Sequence, residues 1–241
     1  MLLAAVTLAA GASAQSPRTA NPERPTFATH AYAVAPGYLE IEQGLRAQGT
    51  NNLSGQTAWD VNMKIGVARW LQLGVFGPAL VHTQGAAGCG DIGLAFKLRG
   101  DLSSHVAVAI EPSVTLPTGN ADRGRGAGQT LGGVIGVFSA DPSSRVHLDI
   151  NLGPTSLGAG SPPWFHSIAG AWALGRWGLT GELYGYTAGA GSDAMWGLLA
   201  AADLRWVEWG VLDFGGSVGT AGDARRLVFM GVTTNVGRIF K

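Results

Sequence analysis

Arg145, His147, Asp149 and Asn151 stand at every second position, and their types and spacing come nearest in this sequence to a reacting site. A histidine beside a carboxylate can act as a general base. In an extended chain all four project from one face, with Cα atoms about 6.6 Å apart, a spacing that assures no hydrogen bond between neighbours. The same row is also the ordinary polar filling of a barrel interior, and that reading is preferred to catalysis.

Other chemistry finds less support. His30, His82, His105, His147 and His166 are scattered, without the paired spacing that puts two ligands on one metal, so no metal site is expected. Gly124-Arg125-Gly126-Ala127-Gly128 lacks both the Lys-Ser/Thr and the helix of a phosphate-binding loop, and reads as an external loop. Ser113 and Ser167 have no nucleophile-elbow context. The single cysteine, Cys89, has no intramolecular partner and is expected as a small apolar filler near a loop. Neither a catalytic residue nor a cofactor is expected.

What remains is charge in rows. Glu40, Glu42, Asp60, Lys64, Asp91, Lys97, Arg99, Glu111, Arg145, His147, Asp149, Glu182, Asp203, Arg205 and Asp213 all fall where they would share the inward face of strands. Set around a lumen, they could form a constriction that selects solutes. Alternatively the two signs pair and fill a narrow interior, which the small bore of a twelve-strand barrel favours.

Positioning those rows requires strands. From Trp59 to Val67 the odd positions carry Trp59, Val61, Met63, Ile65 and Val67, and the even ones Asp60, Asn62, Lys64 and Gly66. A helix cannot segregate that pattern onto two faces. Ile92, Leu94, Phe96 and Leu98 alternate likewise with small and charged residues, as do Val106, Val108 and Ile110, and Val146, Leu148, Ile150 and Leu152. Weaker alternation near 39–42, 71–77, 130–139, 164–174, 177–187, 195–206, 210–219 and 227–240 completes the set. A wall with lipid outside and water inside demands this code, so the pattern predicts an all-β fold, a closed antiparallel transmembrane β-barrel of about twelve strands. An arginine at Ile150, on the lipid face, should therefore be costly, and one at Asn151 tolerated.

Connections alternate between tight links at 69–70, 100–104, 141–144, 175–176 and 207–208 and longer Gly/Ser/Asn/Pro-rich segments near 47–57, 78–90, 117–128, 154–163, 188–194 and 220–226. Outer-membrane barrels keep short turns on the periplasmic side, which places both termini there. Trp59, Trp70, Trp164, Trp177, Trp196, Trp206 and Trp209 flank these connections, as interfacial aromatics do.

Composition agrees. Only 13% of the residues are charged against 46% hydrophobic, and 16 basic residues balance 16 acidic ones, so a nucleic-acid partner is excluded and an unusually apolar surface is implied. Residues 1–14 end in Ala12-Ser13-Ala14 and read as a signal peptide. Residues 15–36 are expected as a periplasmic N-terminal segment, and 37–241 as the barrel. The closing strand, Val228 to Phe240, resembles the C-terminal signal read by the barrel-assembly machinery, a partner expected alongside outer-membrane lipid.

Several blocks in order resemble the meta-pathway phenol-degradation family of outer-membrane transporters. They are Arg24-Pro25-Thr26-Phe27, Val34 to Gly44, Lys64 to Gly74, Gly90 to Lys97, and Pro112 to Gly119. The resemblance implies an outer-membrane channel of a Gram-negative bacterium for small, hydrophobic or aromatic molecules, and defines no catalytic residue. The rival readings are a structural or plugged barrel without transport, a lipid-modifying barrel enzyme with its nucleophile on the outside, and a soluble ligand-binding barrel with its apolar face inward.

Overall fold

The computed structural model describes residues 16–50, 53–83, 85–222 and 225–241. The expected signal segment, 1–14, lies outside them. The strands are β1 (Tyr38–Gly49), β2 (Gln56–Ala68), β3 (Leu71–Thr83), β4 (Ala86–Gly88), β5 (Ile92–Asp101), β6 (Val106–Leu116), β7 (Leu131–Ser143), β8 (Val146–Pro154), β9 (Trp164–Leu174), β10 (Trp177–Tyr186), β11 (Met195–Val207), β12 (Gly210–Ala221) and β13 (Arg226–Arg238). β4 is a short return that pairs with the end of β3. The other twelve each pair antiparallel with their neighbours in sequence, and β13 pairs back onto β1 with Leu45 opposite Met230, which closes the ring. Closure leaves the wall without an unpaired edge, the condition for a sheet to sit in hydrocarbon.

The core is turned inside out. Phe96, Ile150 and Ile168 are 45%, 46% and 58% exposed, while Lys64, Lys97 and Glu40 are 1%, 1% and 0% exposed. The apolar half of each alternation therefore looks outward and the polar half into the lumen, which excludes the soluble ligand-binding reading. Strands of nine to thirteen residues, as in β8 and β2, suffice to cross a bilayer. No helix among the described residues is long and apolar enough to do so.

Tight links at 69–70, 144–145, 175–176 and 208–209, with the somewhat longer 102–105, gather at one rim. The longer connections gather at the other. Tryptophans follow both: Trp70, Trp177, Trp206 and Trp209 stand at the short-turn rim, and Trp59, Trp164 and Trp196 near the long-loop rim. All but the partly covered Trp209 are exposed. Trp206 and Trp209 meet edge to face at 5.8 Å.

One element lies elsewhere than expected. Residues 16–36 do not extend away from the barrel: they enter it at the short-turn rim, where Ala20 N–H donates to Glu208 O, and loop through the lumen. They return to the same rim, where Pro36 bridges to Gly66. Gly66 makes that return possible, because a Cβ there would fall 2.1 Å from Val34 O. The segment has no alternation to announce a partner. What places it inside is the set of inward acceptors that its backbone N–H groups satisfy.

Candidate functional site

The lumen and its N-terminal plug form the candidate site. Buried carboxylates normally demand donors, and here the plug backbone supplies them. Asn21 N–H donates to Glu40 (2.7 Å), Glu23 N–H to Glu42 (2.7 Å), and Phe27 and Ala28 N–H to the two oxygens of Glu182 (both 2.8 Å). Neutral acceptors continue the series, with Thr29 N–H on Asn151 (2.9 Å), Ala31 N–H on Ser139 (2.8 Å) and Val34 N–H on Gln72 (2.9 Å). Asn151 also donates its amide back to Thr29 O at 2.8 Å.

Plug side chains complete the strand charges. Lys64 Nζ lies 2.9 Å from Glu40 and 2.5 Å from Glu42. Lys97 is shared among Glu23, Thr29 (2.7 Å) and Glu111 (3.3 Å). Arg24 holds Asp213 through two hydrogen bonds, and Asp60 pairs with Arg46 at 2.7 Å. The charged rows thus pair across the interior rather than line an open ring.

His147 sits in the densest part of this network. Its Nδ1 lies 2.7 Å from Asp141 and its Nε2 2.9 Å from Asp149, so the side chains do bridge neighbouring positions along the strand. Ser139 donates to Asp149 at 2.5 Å, and the Tyr32 hydroxyl donates to Asp141. With both ring nitrogens on wall carboxylates, His147 braces β7 against β8 beside the Tyr32 ring of the plug, 5.8 Å away, and has no nitrogen turned toward a nucleophile.

The remaining expected residues divide. Arg205 faces inward and donates to Ala20 O at 3.1 Å, and Asp203 lies over Gly178 of β10 on the same face. Arg99 binds Asp101 at 2.6 Å and lies over the Tyr32 ring at 4.9 Å. Two are corrected. Arg145 falls in the turn before β8 and is exposed at the rim. Asp91 precedes β5 and holds the long loop, accepting from Gly119 N–H (2.8 Å) and Ala127 N–H (2.7 Å). Cys89 is exposed rather than a filler.

The plug divides the lumen into two chambers. The outer one, toward the long loops, is about 590 Å³ and has Glu23–Thr29 as its floor. The inner one, about 890 Å³, is bounded by Tyr32, Arg69, Arg99, His105 and His147. Between them a cavity of about 70 Å³ runs past the plug along Ala169, Gly170, Ala171 and Thr180. It shares Glu23, Arg24 and Thr26 with the outer chamber and Pro22, His30 and His147 with the inner one. Small side chains on β9 and β10 form its outer wall.

The sequence as a whole decides the family, since residues 13–236 match the model described as that of the MetA pathway of phenol degradation. The chain belongs to this family. No curated protein matches it. Among solved structures, the COG4313 outer membrane channel from Pseudomonas putida F1 superposes with a TM-score of 0.68 at 12% identity, over 87% of this chain and 99% of that one. The KdgM porin superposes with a TM-score of 0.63 at 8% identity, over 81% and 98%. The CymD monoaromatic hydrocarbon channel gives 0.50 at 10% identity, over 85% and 90%. Such likenesses establish a shared architecture, that of porin-like outer-membrane barrels.

Sequence reasoning missed Glu23, Arg24, Phe27, Thr29 and Tyr32, which all sit on the plug. A signal was present: inward acids outnumber inward bases on the strands, so the lumen needed further donors from elsewhere in the chain.

Proposed function

We propose that the protein is a passive channel in the outer membrane of a Gram-negative bacterium, with both termini and the short turns in the periplasm, passing small hydrophobic or aromatic molecules. The observation that carries this reading is the cavity between plug and β9–β10 wall, which borders both chambers. A solute would enter the outer chamber, pass Ala169, Ala171 and Thr180 and leave through the inner one, while lipid faces the aliphatic outside. Membrane insertion would use the barrel-assembly machinery, with the amphipathic β13 as the recognised strand.

The plugged structural barrel is the second reading, and the plug's many hydrogen bonds favour it. Proteoliposome flux separates the two. Uptake of benzyl alcohol that falls sharply in Ala171→Trp supports passage along the gap. Uptake no faster than through protein-free vesicles, for the wild type, overturns the channel.

A further inference from the structure

The outer chamber has two unlike walls. On one side the rings of Phe165 and Tyr186 pack at 5.2 Å, and Phe27, at the plug's tip, is 41% exposed to the chamber although it sits mid-lumen. Tyr184 supports that ring from behind at 4.3 Å. Phe76, on β3, also lines the space, its ring lying over Gly93, where a Cβ would fall 2.2 Å from the ring. An apolar ring held uncovered in a polar lumen costs free energy that a stacked ligand would recover.

The charged wall is selective in sign. Each cation near the chamber is already committed: Lys64 to Glu40, Glu42 and Asn21 O, Lys97 to Glu23, Thr29 and Glu111, Arg24 to Asp213, and Arg46 to Asp60 and two glutamines. The carboxylates are less fully met. Glu111 lines the chamber with its side chain 20% exposed, and its one cation, Lys97, stands 3.3 Å away and is divided among three oxygens. A ligand donor can therefore be accepted, whereas a ligand carboxylate would find Arg24, Lys64 and Lys97, the cations that line the chamber, already held by carboxylates and would face like charge.

We infer that the outer chamber is a binding site for a small aromatic molecule carrying a neutral or cationic hydrogen-bond donor, and that it rejects aromatic carboxylates. The ring lies against Phe27, Phe165 and Tyr186, and the donor reaches Glu111. A volume of about 590 Å³ is in keeping with small-molecule pockets. This deepens the channel reading by naming what enters, and rests on that reading only for the step beyond binding.

The test is calorimetric titration of the full-length mature protein in detergent with benzylamine, benzyl alcohol and benzoate at neutral pH, with folding of each variant checked by heat-modifiable gel mobility. Benzylamine and benzyl alcohol should bind, and benzoate should bind at least about tenfold more weakly, a difference of about 1.4 kcal/mol. Glu111→Gln should remove the amine's advantage over the alcohol. Phe27→Ala, which lies off the barrel wall and leaves every strand residue in place, should weaken both ligands. Benzoate binding as tightly as benzyl alcohol, or Phe27→Ala binding as the wild type does, overturns the inference. Flux without this discrimination sinks the inference alone, and discrimination without flux sinks the channel alone.

Discussion

Arg24 and Asp213 lie 189 positions apart in the chain and meet through paired hydrogen bonds, Nε to Oδ2 at 3.1 Å and Nη2 to Oδ1 at 2.9 Å. The pair ties the plug to β12 and is bidentate, the mode in which arginine binds carboxylate best. Asp213 is 2% exposed and Arg24 19%, so the two partners are not equivalent.

Removing the cation leaves a buried carboxylate without its counter-charge, so Arg24→Ala should cost about 3–5 kcal/mol in urea unfolding from vesicles. Arg24→Ala combined with Asp213→Asn should recover part of that loss, because much of the cost is the orphaned charge rather than the missing contact. Equal stabilities for the single and double variants would show that the pair is not buried as described.

Ile150 and Asn151 are neighbours on opposite faces of β8. Ile150 is exposed on the outside, and Ile150→Arg should cost about 2–4 kcal/mol if it lies near the bilayer midplane. The alternation alone makes position 151 look tolerant. The structure gives position 151 a cost of its own, since Asn151 is 1% exposed and exchanges two hydrogen bonds with the Thr29 backbone. Asn151→Leu should therefore cost about 1–3 kcal/mol by leaving Thr29 N–H unsatisfied, read in the same unfolding assay.

The contrast at 150 and 151 marks what was legible. Alternation reports which face a side chain occupies, and it placed all twelve wall strands and, within them, the face that carries the charges. It carries no information on what fills the lumen. Residues 16–36 hold four prolines and no period, and they bind through backbone N–H groups that every residue except proline possesses. Arg145 and Asp91 were misplaced for a related reason: parity continues past a strand's end, but the inward direction does not, and the two residues fall one position before β8 and β5 begin.

Gly66 offers a way to dislodge the plug without touching its own residues. A Cβ at this position would lie 2.1 Å from Val34 O and 2.3 Å from Ala35 O, both backbone atoms that cannot swing aside. Gly66→Val should expose residues 16–36 to limited proteolysis in the folded barrel. Gly181→Ala, where a Cβ meets nothing within 4 Å, is the matched control and should be cut no faster than the wild type.

Whether solute passes beside a seated plug or only after it leaves can be decided at the Ala31–Ser139 contact, where Ser139 Oγ accepts from Ala31 N–H at 2.8 Å. Cysteines at the two positions would pin the descending arm of the plug to β7, away from the small-residue gap on β9 and β10. The proposed path runs along that cavity with the plug in place, so the oxidised Ala31→Cys/Ser139→Cys protein should pass benzyl alcohol at the rate of its reduced form. Flux that vanishes on oxidation and returns on reduction would mean that the plug must withdraw, and the path along Ala169 and Ala171 would then be wrong.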